Sequence, residues 1–122
     1  MKEALEPIVV AHGERILDTK ENPISLAVTM DKHVDKEGKD SLGAMLFQMN
    51  CSGARFFTPN IDKVTTVAGV VELKNFGCHC SDFNHAYLNV ACALGMTEED
   101  IKVFCERFES ALKQFEKKHP PE

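Results

Sequence analysis

Residues 101–115 carry Ile101, Phe104, Phe108, Ala111, Leu112 and Phe115 at three- and four-residue intervals. Such a stripe is one face of a long amphipathic helix, and a core has to cover it. Thr97, with Asp100 three residues on, is an N-cap signal; Glu98 and Glu99 place negative charge at the positive end of the helix dipole. Glu109 and Lys113 form a supportive i, i+4 pair. Lys117, Lys118 and His119 suit the opposite end, and Pro120-Pro121 stops the helix. The rest of the chain must supply the cover.

Leu5, Ile8, Val9, His12 and Ile16 predict a helix over the first 18 or so residues. Pro7 fits a first turn, which puts the ordered start near Glu6. Asn22-Pro23 ends this element, because a residue before proline avoids the helical region. Ile24, Leu26, Val28 and Met30 alternate and predict a strand with one face on the core. The charged run Asp31–Asp40, anchored only by Val34, predicts a solvated connection. Leu42, Met45, Leu46 and Met49 mark a second helix, closed by Ser52-Gly53. Arg55–Thr58 predicts a short strand, and Val64–Leu73 another, with Gly69 as a bulge. A loop over Asn75–Asn84 leads to Ala86–Leu94, which predicts a buried helix closed by Gly95. The order helix, strand, helix, strand, strand, helix, helix predicts a single α+β domain over residues 1–122. Its helices lie on one face of a small, largely antiparallel sheet.

The net charge is −5. That argues against this chain alone gripping a nucleic-acid backbone, which takes a basic face. It leaves room for one arginine that reads an RNA end. No apolar run approaches the roughly 20 residues of a membrane span. Met1–Pro7 has acids where a signal peptide has a basic leader. The expected compartment is the cytoplasm, with the five cysteines as reduced thiols. Cys92 and Cys105 fall in helical apolar patterns and read as small core residues.

Arg55 is the leading candidate for chemistry. Its neighbours are small or aromatic, so nothing nearby in sequence neutralises it. A guanidinium pairs bidentately with phosphate, carboxylate or the acceptor edge of guanine; the plain alternative is a solvated surface arginine. Ser52 has no visible base partner and is not read as a nucleophile, while Gly53 suits a turn with positive φ. Cys78, His79, Cys80, Asp82 and His85 offer metal-ligand types within eight residues. The pair is C-x-C with no second pair beyond it, unlike a structural zinc site, so ordinary thiols are the reading and no metal ligand is assigned. Tyr87 reads as core. Every lysine sits in a polar setting or at an element end, and no glycine-rich phosphate loop is present. No catalytic residue is assigned.

Four blocks keep a distinctive order and spacing: Asn22-Pro23-Ile24-Ser25, the run Leu42–Phe47 leading into Ser52-Gly53-Ala54-Arg55, His85-Ala86-Tyr87-Leu88-Asn89, and Gly95-Met96. Together they resemble the C-terminal small domain of the O-phosphoseryl-tRNA(Sec) selenium transferases. The resemblance implies a domain like the small domain of fold-type-I pyridoxal-phosphate transferases. It implies that the intact enzyme turns phosphoseryl-tRNA into selenocysteinyl-tRNA. Arg55 matches the position that contacts the discriminator base at the tRNA acceptor end. Pyridoxal phosphate belongs to the large domain, which this chain lacks; none is expected here, and the chain alone is expected to be inactive. The family assembles as oligomers. The rival readings are a non-catalytic binding module of the same fold, a small thiol or metal protein built on Cys78 and Cys80, and the small domain of a different pyridoxal enzyme, with Arg55 holding a substrate carboxylate.

Overall fold

The computed structural model describes residues 1–35, 41–59, 64–74, 76 and 82–120. Helix α1 spans Lys2–Ala11, strand β1 Ser25–Thr29, helix α2 Leu42–Gln48, strand β2 Arg55–Phe57, strands β3 and β4 Val64–Val67 and Val71–Lys74, strand β5 Tyr87–Ala91, and helix α3 Glu98–Lys118. Three strands form an antiparallel sheet in the order β1-β5-β2, and β3-β4 is a separate antiparallel hairpin. The α+β class and the antiparallel pairing agree with the sequence reading.

Helix α3 is built as its sequence dictates. Thr97 and Asp100 form a reciprocal capping box, and Phe108, Ala111, Leu112 and Phe115 are buried. These residues meet Leu5 and Val9 of α1, Leu42, Met45 and Leu46 of α2, and Leu26, Val28, Leu88 and Val90 of the sheet in one core. All three helices thus cover the same sheet face. Truncating a buried Phe or Leu in such a core costs about 2–5 kcal/mol, so the stripe fixes the architecture.

Five expectations need correction. Ala86–Leu94 is not a helix; it contains the central strand β5. A short apolar run buried on both faces cannot be told from a buried helix by periodicity. Here β5 is hydrogen-bonded on both sides, so Tyr87, Leu88 and Val90 are all buried. Cys92 consequently lies just past a strand, half-buried, with its Sγ 3.5 Å from Met1 Sδ. Val64–Leu73 is two strands, not one. Ala68 and Gly69 take φ of +53° and +69°, and the Val70 N–H donates to the Val67 carbonyl at 3.2 Å. That is the twist of a type I′ turn.

Helix α1 begins at Lys2, before Pro7, and ends at Ala11 rather than near residue 18. Burial of Leu5 draws the first turn onto the core, and Pro7 faces solvent, where its missing N–H costs one bond. Gly13 at φ +74° closes the helix with the Schellman pattern, its N–H to Val10 and that of Glu14 to Val9. The chain then runs alongside β1 through the Ile16–Val28 bridge. Finally, the segment after β1 is not wholly solvated: His33 is 1% exposed. The Cys78, His79 and Cys80 group lies outside the described residues.

His33 belongs to a buried polar network. Its Nδ1 lies 2.9 Å from Glu14 Oε1 and its Nε2 3.2 Å from Glu116 Oε1. Glu14 also accepts from the Thr29 hydroxyl at 2.6 Å and the Lys32 N–H at 2.8 Å. Burial pushes the Glu14 carboxyl upward, but hydrogen bonds from His33, Thr29 and Lys32 outweigh it and leave it below the usual carboxylate range. Glu116 is held low in the same balance by His12 and His33.

Both carboxyls are depressed in the folded state, so their stabilisation is present above the ordinary glutamate range and is lost as pH falls through the lowered folded values. Denaturation midpoints measured from about pH 6 to pH 3 should therefore fall steeply below about pH 4.5. Glu14→Gln should cost roughly 1–3 kcal/mol near neutrality and flatten that acid limb. Ala68→Asn creates the Asn-Gly pair that a type I′ turn favours. It should slow amide hydrogen exchange across Val64–Lys74 by about 2–5-fold, the equivalent of ~0.5–1 kcal/mol.

Candidate functional site

Strand β5 has two faces with different tasks. Leu88 and Val90 point into the helical core. Tyr87 and Asn89 therefore point to the opposite face, because side chains alternate along a strand. Register carries this face across the sheet: Asn89 lies opposite Ala27 of β1 and Arg55 of β2, and Tyr87 lies opposite Thr29 and Phe57. Residues paired in this way project to the same side. The helix-free face thus presents Arg55, Asn89, Phe57 and Tyr87 as one group.

Each member is held by its surroundings. The Phe57 and Tyr87 rings stack at 4.8 Å between centroids, and Phe83 meets Tyr87 edge-on at 5.5 Å. The adjacent phenylalanines divide as an extended chain requires: Phe56 packs on the core and Phe57 on the far face. The Asn89 amide donates to the Leu26 carbonyl at 3.3 Å. Arg55 opens β2 two residues after Gly53, which takes φ +91°. Its side chain is exposed and enters no hydrogen bond or ion pair among the described residues.

Beside this group lies a pocket of about 350 Å³ between the loop that precedes β1 and the one that precedes β5. Asn22, Ser25, Asn84, His85, Tyr87 and Asn89 are among the residues that line it. Asn22 Oδ1 accepts from the N–H groups of Ile24 and Ser25 at 3.2 and 3.1 Å, and its amide donates to the Ser25 hydroxyl. Pro23 favours this turn, since the chain must leave the helical region before it. His85 Nδ1 lies 2.7 Å from Asp31 Oδ2, and Asp31 Oδ1 accepts from the Ala86 N–H at 2.8 Å. The Arg15 guanidinium sits 3.4 Å from His85 Nε2. A guanidinium can only donate, so Nε2 is the acceptor and Nδ1 carries the proton toward Asp31.

Two separated blocks, Asn22–Ser25 and His85–Asn89, therefore line one pocket, and Arg55 joins that face through its place opposite Asn89 in the ladder, while Ser52, Gly53 and Ala54 line a separate hollow with Met1, Val90, Ile101 and Phe104. Tyr87 is buried as expected, but from a strand and beneath two other rings. Arg15 and Asp31 were not visible as site residues. They reach His85 across 70 and 54 positions of sequence, and no periodicity marks them. The site suits recognition of a polar, anionic or base-edge group by Arg55, with Asn89 and the Asn22 turn adding neutral hydrogen-bonding groups. His85 Nε2 faces the Arg15 guanidinium. Among the described residues every lysine is exposed, and none lines the pocket.

Residues 1–113 match the family O-phosphoseryl-tRNA(Sec) selenium transferase, SepSecS. Proteins named O-phosphoseryl-tRNA(Sec) selenium transferase from Caenorhabditis briggsae and Caenorhabditis elegans are each 34% identical over 103 residues, covering 84% of this chain and 21% of theirs. The Dictyostelium discoideum protein of the same name is 30% identical over 120 residues, covering 86% of this chain and 25% of its own. The chain spans about a fifth to a quarter of the length of these relatives. It belongs to the O-phosphoseryl-tRNA(Sec) selenium transferase family.

Proposed function

We propose that this chain serves as the C-terminal small domain of a cytoplasmic selenium transferase. In the intact enzyme, phosphoseryl-tRNA(Sec) becomes selenocysteinyl-tRNA with pyridoxal phosphate held by the large domain. The helices stacked on one sheet face form the lid-like unit of a fold-type-I transferase. Its helix-free face contacts the tRNA acceptor end, with Arg55 on the discriminator base. The observation that carries this reading is the place of Arg55 opposite Asn89, beside the pocket that Asn22, Ser25, His85 and Asn89 line, with a guanidinium that is exposed and enters no hydrogen bond or ion pair among the described residues.

Charge supports the division of labour. At −5 the chain lacks the basic face for a backbone grip. Arg55 then specifies one end while the remainder of the enzyme, and its oligomeric partners, hold the tRNA body. Exposed apolar side chains support packing against further protein: Leu94 is fully exposed, and Val10, Ile24 and Phe47 are each more than 60% exposed. Such groups are ordinary singly, but they are abundant for a chain of this size.

Binding to a tRNA(Sec) acceptor-stem RNA, measured by fluorescence anisotropy at low salt, tests the assignment. Arg55→Ala should lose about 1–3 kcal/mol of discrimination between the cognate and an altered discriminator base. Arg55→Lys should keep part of the affinity and little of the discrimination, because an ammonium lacks the fork. Equal discrimination by wild type and Arg55→Ala would refute the role.

A further inference from the structure

Away from the Arg55 face, three side chains from three elements converge. His12 caps the C-terminal end of α1, His33 follows β1, and Glu116 lies in the last turn of α3. His12 Nδ1, His33 Nε2 and a Glu116 carboxylate oxygen all lie within 4.8 Å of one another. Glu116 Oε1 is 2.6 Å from the first and 3.2 Å from the second.

The proton count at His33 is the informative feature. A neutral imidazole has one donor and one acceptor nitrogen. Buried His33 faces a carboxylate oxygen at each, Glu14 at Nδ1 and Glu116 at Nε2. Glu14 is locked in place by Thr29 and Lys32, so it takes the Nδ1 proton. The lone pair on Nε2 would then oppose those of Glu116. Either a second proton or a cation has to lie between them. A cation fits the wider arrangement, because His12 presents a third donor atom to the same point. Two neutral imidazoles with Glu14 and Glu116 ionised carry a charge of −2, the complement of a divalent ion.

We propose that His12 Nδ1, His33 Nε2 and the Glu116 carboxylate bind a divalent transition-metal ion of the zinc class. Two histidines and a glutamate are an established zinc donor set, and imidazole also suits nickel, copper and cobalt. At metal–ligand distances of about 2.0–2.1 Å, tetrahedral donors stand roughly 3.3 Å apart. The His33–Glu116 separation already has that value. The His12–Glu116 contact must open slightly, which Glu116 can allow because its side chain is 42% exposed. Glu14 plays the supporting part, fixing the His33 tautomer through Nδ1, as carboxylates behind metal-bound histidines do. Phe115 packs against the His33 ring at 5.8 Å and shields one side. The fourth position opens to solvent beside Glu116. The ion would tie the end of α1, the segment after β1 and the end of α3 together, so its role is structural.

The test uses the full chain, stripped with chelator and titrated with Zn²⁺ and with Co²⁺ as a spectroscopic probe. A Cys78→Ser/Cys80→Ser background removes the closely spaced thiol pair. The expected result is one ion per chain and a melting temperature raised by about 5 °C or more at saturation. The Co²⁺ spectrum should show tetrahedral or five-coordinate ligand-field bands without thiolate charge transfer. Glu116→Gln and His12→Ala, both at partly exposed positions, should each weaken binding at least about 10-fold and abolish the thermal shift; Glu14→Gln should weaken it about 10–100-fold. Absence of stoichiometric binding in the Cys78→Ser/Cys80→Ser background would overturn the proposal. So would binding that both Glu116→Gln and His12→Ala leave intact.

Discussion

The register of β5 against its two neighbours is the constraint on which the rest of the structure depends. On one side of the strand, Leu88 and Val90 complete the core beneath three helices. On the other, Tyr87 and Asn89 anchor the candidate site. A slip of one residue would exchange these faces, driving Asn89 into the core and Leu88 into solvent. Burial of Leu26, Val28, Leu88 and Val90 opposes such a slip by several kcal/mol, at roughly 1.5–3 kcal/mol per side chain. The core therefore sets the position of Arg55, which has few contacts of its own but sits opposite Asn89 in the ladder.

A second constraint acts at the opposite side of the core. Glu14, His33 and Glu116 are drawn from the chain after α1, the chain after β1 and α3, and they meet where apolar packing alone would leave the helix ends free to splay. Buried charges are costly unless paired and hydrogen-bonded. Glu14 meets that condition through three donors. The network thus orients the elements that the core holds together, and its depressed carboxyls make that orientation sensitive to acid.

The legible parts of the sequence were those governed by a single repeating rule. The α3 stripe, the Thr97–Asp100 cap and the alternation of β1 each follow from local periodicity or capping chemistry, and each appears as expected. The illegible parts depended on tertiary context. Tyr87–Ala91 has the composition of a strand, yet its near-continuous burial arises only because β1 and β2 flank it. The Ala68-Gly69 turn lacks the asparagine or aspartate that usually announces a type I′ hairpin. His33 looked solvated among charged neighbours, because its partners lie 19 and 83 residues away. Arg55 stood out as a candidate through resemblance and not through spacing; the structure adds its exposure and its neighbours. The Asp31–His85–Arg15 chain had no local signal at all.

On the proposed function, the sheet face that carries Arg55 is what the chain contributes to its family's chemistry. The most direct measurement is a backbone amide chemical-shift map of the isotopically labelled chain during titration with a tRNA(Sec) acceptor-stem RNA. The account predicts shifts concentrated at Arg55, Phe57, Asn89 and the Asn22–Ser25 turn, with α3 and the core unmoved. Shifts confined to the helical side, or to the β3-β4 hairpin, would contradict it.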